Sequence, residues 1–329
     1  MICDTHCDTL NKLFFQNIEF VDNNIEIDLN RLIDSNFLLQ YFAIWDSPKN
    51  NNHLQNTLKI IRKFYQIQKL YPVIYLIKSA EDVKFTLKNQ KIGAILSIEG
   101  GEALSNSLEI LEILYELGVR SIGLTWNNRN QLGDGCGDGN FAGGLSKFGR
   151  QVVKKMNQLG MIIDVSHLSK MGFWDVMELS DTPIIASHSN VYSLCHNDRN
   201  LTDDQIKMLI QKNCFLGINF FSKFLNFSGK SDIQDIVNHI EYVLNLGGED
   251  IIGFGSDFDG NIVEFGDDIE KFLDTQHLPN GINGIQDVHK ILTTLEKRGI
   301  SKKIINKISH ENCIRFTIKV LESVNTNLN

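Results

Sequence analysis

Short apolar runs alternate with longer amphipathic stretches along the whole chain. The runs are Ile2–Thr5, Leu38–Ile44, Gly93–Ser97, Ser121–Thr125, Met161–Val165, Pro183–Ser187, Phe215–Asn219 and Ile251–Gly255. Each suits a strand buried on both faces and is too short for a helix. Between them, His53–Leu70, Leu104–Leu117, Lys147–Leu159, Ser169–Leu179, Thr202–Gln211 and Ser231–Leu246 space their apolar residues as helices do. Ile285–Arg298 and Ser301–Leu321 predict two closing helices. Thr202-Asp203-Asp204-Gln205 reads as a capping box. Eight strands alternating with helices predict an α/β protein with a (β/α)8 TIM barrel; a doubly wound open sheet is the alternative. No Pro- or Ser-rich linker and no short repeat interrupts the pattern. Residues 1–329 are therefore expected to form a single barrel domain with C-terminal helices.

Composition changes this picture little. Hydrophobic residues make up 42% and charged residues 22%, as in an ordinary globular chain. A net charge of −8 argues against nucleic acid or an anionic membrane as partner. No apolar run approaches the ~20 residues of a membrane span. The six cysteines are scattered and form no C-x-x-C pair. That pattern, with no leader-like segment at Met1, predicts a reduced, cytoplasmic protein.

Chemistry gathers where the runs end, the rim on which barrels build active sites. The first ends His6-Cys7-Asp8; on an extended backbone His6 and Asp8 face the same way. The third ends Glu99-Gly100-Gly101, a carboxylate whose burial needs a partner or a metal. The fifth and sixth lead into His167 and His188. Imidazole and carboxylate are the usual donors for zinc and its neighbours. Five donors exceed what one catalytic ion uses and suit two ions with a shared carboxylate. The eighth run leads into Asp257-Phe258-Asp259-Gly260, where either Asp could serve as a base or simply shape a turn. Arg199 reads equally as a carboxylate-binding group or a solvated loop residue. Thr125-Trp126-Asn127 opens a Gly-rich stretch to Gly144, a loop over the site rather than a phosphate loop.

These motifs, in order an H-x-D, an E-G-G, an L-T-x-N, a D-x-S-H, an S-H-S, an R-N and a G-x-D-F-D-G, resemble those of the membrane (renal) dipeptidase family, peptidase family M19, in its soluble bacterial-type branch. The resemblance runs from His6 to the Glu311–Arg315 segment. It implies a dipeptidase with two divalent ions, zinc first, with manganese, iron or cobalt as alternatives. His6, Asp8 and Glu99 would hold one ion; Glu99, His167 and His188 would hold the other. Asp257 rather than Asp259 would handle the proton, and a metal-bridged hydroxide would attack the peptide bond. Arg199 would take the C-terminal carboxylate of a small peptide, D-residues there included, with Trp126 and Asn127 beside the substrate. Family members are often dimeric, so a homodimer is expected. One residue departs: the best-known members carry a histidine at the position of Trp126, where it contacts the reacting carbonyl or its oxyanion. The alternatives are a related barrel hydrolase of a cyclic amide, lactone or phosphoester, and a metal-binding homologue without catalysis.

Overall fold

A computed structural model describes residues 1–260 and 277–323. Among them the strands are β1 (Ile2–Cys7), β2 (Phe37–Trp45), β3 (Ile74–Leu76), β4 (Ile92–Glu99), β5 (Val119–Gly123), β6 (Ile162–Asp164), β7 (Ile185–Ala186), β8 (Phe215–Ile218) and β9 (Ile252–Phe254). Eight of them fall on the predicted runs. The addition is β3, three residues with a half-buried tyrosine at its centre, too short to stand out from sequence. No helix of the described residues is long and apolar enough to cross a membrane.

The described residues group into two compact units. One comprises Met1–Gln40 and Ser187–Ile314, the other Tyr41–Ala186 and the segment from Arg315 onward. In the second unit β3, β4, β5, β6 and β7 pair in chain order, every ladder parallel. Each crossover carries a helix: Ala80–Lys88, Leu108–Glu116, Lys147–Leu159 and Lys170–Leu179. All four start on a serine, Ser79, Ser107, Ser146 and Ser169, whose side chain accepts a backbone N–H of the first turn. Such a cap contributes about 1 kcal/mol and sets where each strand hands over to its helix. Lys147–Leu159 turns Val152, Val153 and Met156 inward and stops at Gly160, whose φ of 66° suits a residue without a side chain.

In the first unit β9 pairs in parallel with β1 on one side, Asp4 opposite Phe254, and with β8 on the other. Among the described residues the first strand thus lies beside the last. That pairing is what closing a βα repeat on itself requires. β1 is buried along its whole length. Phe220 packs edge-on against Phe254 and Phe258 to fill this unit's core. The Thr202–Gln205 capping box forms as predicted.

The helix predicted over Ser301–Leu321 is interrupted. A π-helical turn, Lys307–Glu311, separates Lys302–Asn306 from Asn312–Leu321. The extra residue carries the chain close over β9, and the buried Asn312 donates to the carbonyls of Glu249 and Ile252 at 2.9 Å each. Sequence periodicity cannot register such a turn, because the apolar spacing on either side is unchanged.

Candidate metal centre

In the first unit His6 lies at the end of β1. The strand stops at Cys7, and Asp8 caps the following helix with φ −96° and ψ 14°. Asp8 is therefore not on the extended backbone expected of it. The turn nevertheless returns its carboxylate to 3.5 Å from His6 Nε2. Cys7 is fully buried, and burial raises its thiol pKa well above the ordinary value, so it packs as an apolar group. His188 follows β7, and its ring lies 3.7 Å from that of His6, tilted by 31°. Asp257 Oδ1 is 3.6 Å from His6 Nε2. Donor atoms of His6, His188 and Asp257 all lie within 4.8 Å of one another.

Neighbours orient each of these groups. Asn11 donates to Asp8 Oδ1 at 2.9 Å, and Asn219 donates to Asp257 Oδ2 at 2.9 Å. Ser187 Oγ meets His188 Nδ1 at 2.7 Å. Asn219 sits just past β8 and closes a predicted run, yet nothing in its own context marked it. Arg199 Nη2 donates to the His188 carbonyl at 3.1 Å.

Asp259 goes elsewhere. Asp257 and Asp259 have φ of 61° and 66°, so neither is extended and they do not share a face. Thr9 Oγ1 donates to Asp259 Oδ2 at 2.7 Å, Lys12 Nζ lies 3.3 Å from Oδ1, and the Glu26 backbone N–H donates to the same oxygen. The Glu26 carboxylate in turn accepts from the Asp259 N–H. Burial first, and Asp259 second, push the Glu26 carboxyl up to about 7. Burial pushes the neighbouring His277 down to about 4. Glu26 belongs to no strand end, and sequence offered no signal for it.

In the second unit Glu99 ends β4 and faces His167: Oε1 to Nε2 is 2.8 Å. His167 follows β6 with φ 66°, a conformation that turns its ring out of the strand path. Its Nδ1 lies 2.8 Å from Asn127 Oδ1. The Gly-rich loop clamps this pair. Cys136 N–H donates to the His167 carbonyl and Gly137 N–H to the Asn127 carbonyl, each at 2.7 Å. Trp126 stands beside them, its ring 6.1 Å from that of His167.

The donors suit divalent cations. Asn127 Oδ1 faces Nδ1 of the His167 ring, so Nε2 is the ring nitrogen on the side of Glu99. Nε2 lies 2.8 Å from a Glu99 carboxylate oxygen, and an imidazole nitrogen and a carboxylate oxygen are both ordinary ligands of a divalent cation. Nitrogen and oxygen donors without a thiolate fit zinc, manganese, iron or cobalt alike.

Comparison with known proteins agrees. The model of the membrane dipeptidase family, peptidase family M19, matches residues 1–329. Dipeptidase tcpJ of Claviceps purpurea is 30% identical over 310 residues, 89% of this chain and 69% of its own length. A protein from the pqqA 5′ region of Klebsiella pneumoniae is 32% identical over 247 residues, 72% of this chain and 85% of its own. The metallo peptidase of Rhodobacter sphaeroides, solved with a phosphinate mimic of the dipeptide L-Ala-D-Ala, superposes with a TM-score of 0.87 at 24% identity, covering 97% of this chain and 99% of that one. The structure of dipeptidase AC, a metallo peptidase of family M19, gives a TM-score of 0.87 at 24% identity over 97% of this chain and 98% of its own. These two likenesses bear on the fold, which is the (β/α)8 barrel read from the strand pattern. The chain belongs to the membrane dipeptidase family, peptidase family M19, and is a metal-dependent dipeptidase.

Proposed function

We propose that the two units act as one catalytic domain that hydrolyses dipeptides, those with a C-terminal D-residue included, with two zinc ions. His6, Asp8 and Glu99 would hold one ion, and Glu99, His167 and His188 the other, with Glu99 shared. The observation that carries this reading is the 2.8 Å contact of Glu99 with His167 Nε2, on a ring whose other nitrogen, Nδ1, meets Asn127 Oδ1 on the far side. Bound divalent ions polarise a peptide carbonyl and acidify water toward neutral pH.

The chain's own groups supply the rest. Asn219 holds Asp257 Oδ2, so Oδ1, the oxygen facing His6, takes the proton of the attacking water and returns it to the leaving amine. Arg199 orients the substrate's C-terminal carboxylate. Its guanidinium is buried, its Nε has no hydrogen-bond acceptor, and no carboxylate pairs with it among the described residues. An uncompensated buried cation suits an anionic substrate group. The dipeptide mimic bound to the Rhodobacter sphaeroides relative supports a D-residue at that end. Six buried cysteines, none in a disulfide, suit a reducing cytoplasm, and a homodimer follows the family habit.

Metal analysis of the purified protein, with a dipeptide panel assayed before and after chelation, tests the reading. Turnover that disappears with the metal and returns with zinc is expected. Glu99→Gln is expected to lose most metal and activity; full metal content and full turnover in that variant would sink the shared-ligand assignment.

A further inference from the structure

Trp126 stands where the best-known relatives have a histidine, so its surroundings decide what this chain does differently. It follows β5 and is half-buried. Trp45, at the end of β2 and only 4% exposed, meets it edge-to-face, with ring centroids 5.2 Å apart and planes at 65°. On its other side His167 lies at 6.1 Å, tilted by 33°. The backbone is pinned as well. Gly137 N–H donates to the Asn127 carbonyl at 2.7 Å. A Cβ on Gly135 would lie 2.3 Å from that carbonyl oxygen and 2.5 Å from that of Trp126, so only glycine lets the loop close over them. A rigid indole therefore stands next to the imidazole that Glu99 faces, backed by a second indole and still partly open.

We propose that Trp126, braced by Trp45, is a specificity-determining wall that receives an apolar side chain of the dipeptide. This rests on the dipeptidase reading above. An indole face offers a large apolar surface and little polar capacity, and Trp45 and the loop prevent it from moving aside. A histidine at this position would present a smaller, titratable ring. The wall therefore selects for leucine- or phenylalanine-like side chains over glycine.

The zinc-loaded enzyme, Trp126→Phe and Trp126→Ala are assayed on Xaa-Gly and Gly-Xaa dipeptides with Xaa as Gly, Ala, Leu or Phe. Metal content is measured for each protein, and calorimetry follows binding of the matching phosphinate mimics. Wild type is expected to prefer Leu or Phe over Gly by about 10-fold or more in one series, a range that apolar pockets reach. Trp126→Ala should erase that preference through KM and through mimic affinity, with metal content unchanged and a much smaller loss on Gly-Gly than on the Leu and Phe dipeptides. Trp126→Phe should keep most of it. A loss of equal size on every dipeptide, Gly-Gly included, overturns the proposal, because it marks a group acting on the reacting carbonyl. An unchanged preference in Trp126→Ala overturns it too. If wild type cleaves no dipeptide although loaded with metal, the dipeptidase reading itself fails, a result separate from either of these.

Discussion

Asn127 Oδ1 lies 2.8 Å from His167 Nδ1, and that contact decides which edge of the imidazole is available to a metal. The amide oxygen faces Nδ1, which leaves Nε2 as the ring nitrogen turned toward Glu99. Cys136 Sγ, 3.6 Å from the same oxygen, supports this orientation of the amide. Asn127→Leu is therefore expected to weaken binding of the second metal by about 10–100-fold. Asn127→Asp keeps an acceptor and should retain most of the affinity. A competition titration against a chromophoric chelator measures both. Equal affinity in the leucine variant would show that His167 needs no such support.

Arg199 is 7% exposed, with its guanidinium 5.4 Å from the Phe224 ring. Arg199→Met should raise KM for dipeptides by about 100-fold, the cost of losing a charge-assisted pair in a buried site. Dipeptide amides, which lack the carboxylate, should be poor substrates of wild type and should lose little further in the variant. Parallel KM series on acids and amides test this; an equal loss on both would assign Arg199 to packing.

Asp257 and Asn219 are expected to separate catalysis from metal binding. Asp257→Asn should lower kcat by about 10²–10⁴-fold, the range for a missing general acid–base group. Asn219→Ala should lower kcat less, because it frees the carboxylate rather than removing it. Metal content distinguishes a proton-handling role from a ligand role: loss of an ion in Asp257→Asn would make it a ligand.

His239 predicts the acid limb of stability. Its Nδ1 accepts from the Val191 N–H at 3.0 Å and its Nε2 donates to the Leu225 carbonyl at 3.0 Å, so the native ring is neutral. Burial pushes its pKa from 6.5 down to about 4. The unfolded chain then binds a proton between those values and the native state does not. The contribution is present above pH 6.5 and is lost as pH falls toward 4, on the order of 3 kcal/mol in all. Denaturation midpoints from pH 7 to pH 4 should fall in wild type and fall less steeply in His239→Gln. Parallel slopes would show that other groups govern the acid transition.

Much of the fold was legible because it repeats. Runs buried on both faces, followed by serine-capped helices, gave eight strands in the right places; His53–Leu70 and Lys147–Leu159 form with the predicted bounds. β3 and the helix Ala80–Lys88 escaped notice because Ile74-Tyr75-Leu76 is short and its centre is not fully buried. Asn219, Asn11 and Ser187 were silent for another reason. A residue that holds a functional group needs only a polar atom at the right place, and many residue types in many contexts supply one.

The order of residues alone determined the repeat, the rim on which its chemistry collects and the kinds of donor available there. Those follow from local spacing, burial preference and side-chain type. Tertiary structure decided between chemically equal groups. Asp257 faces His6 while Asp259 is taken up by Thr9, Lys12 and Glu26. Asp8 reaches His6 from a helix cap instead of a strand. These outcomes depend on left-handed turns and on partners about 250 positions away, as Thr9 is from Asp259. Neither leaves a trace in local sequence, because each arises only when distant backbone segments are already in place.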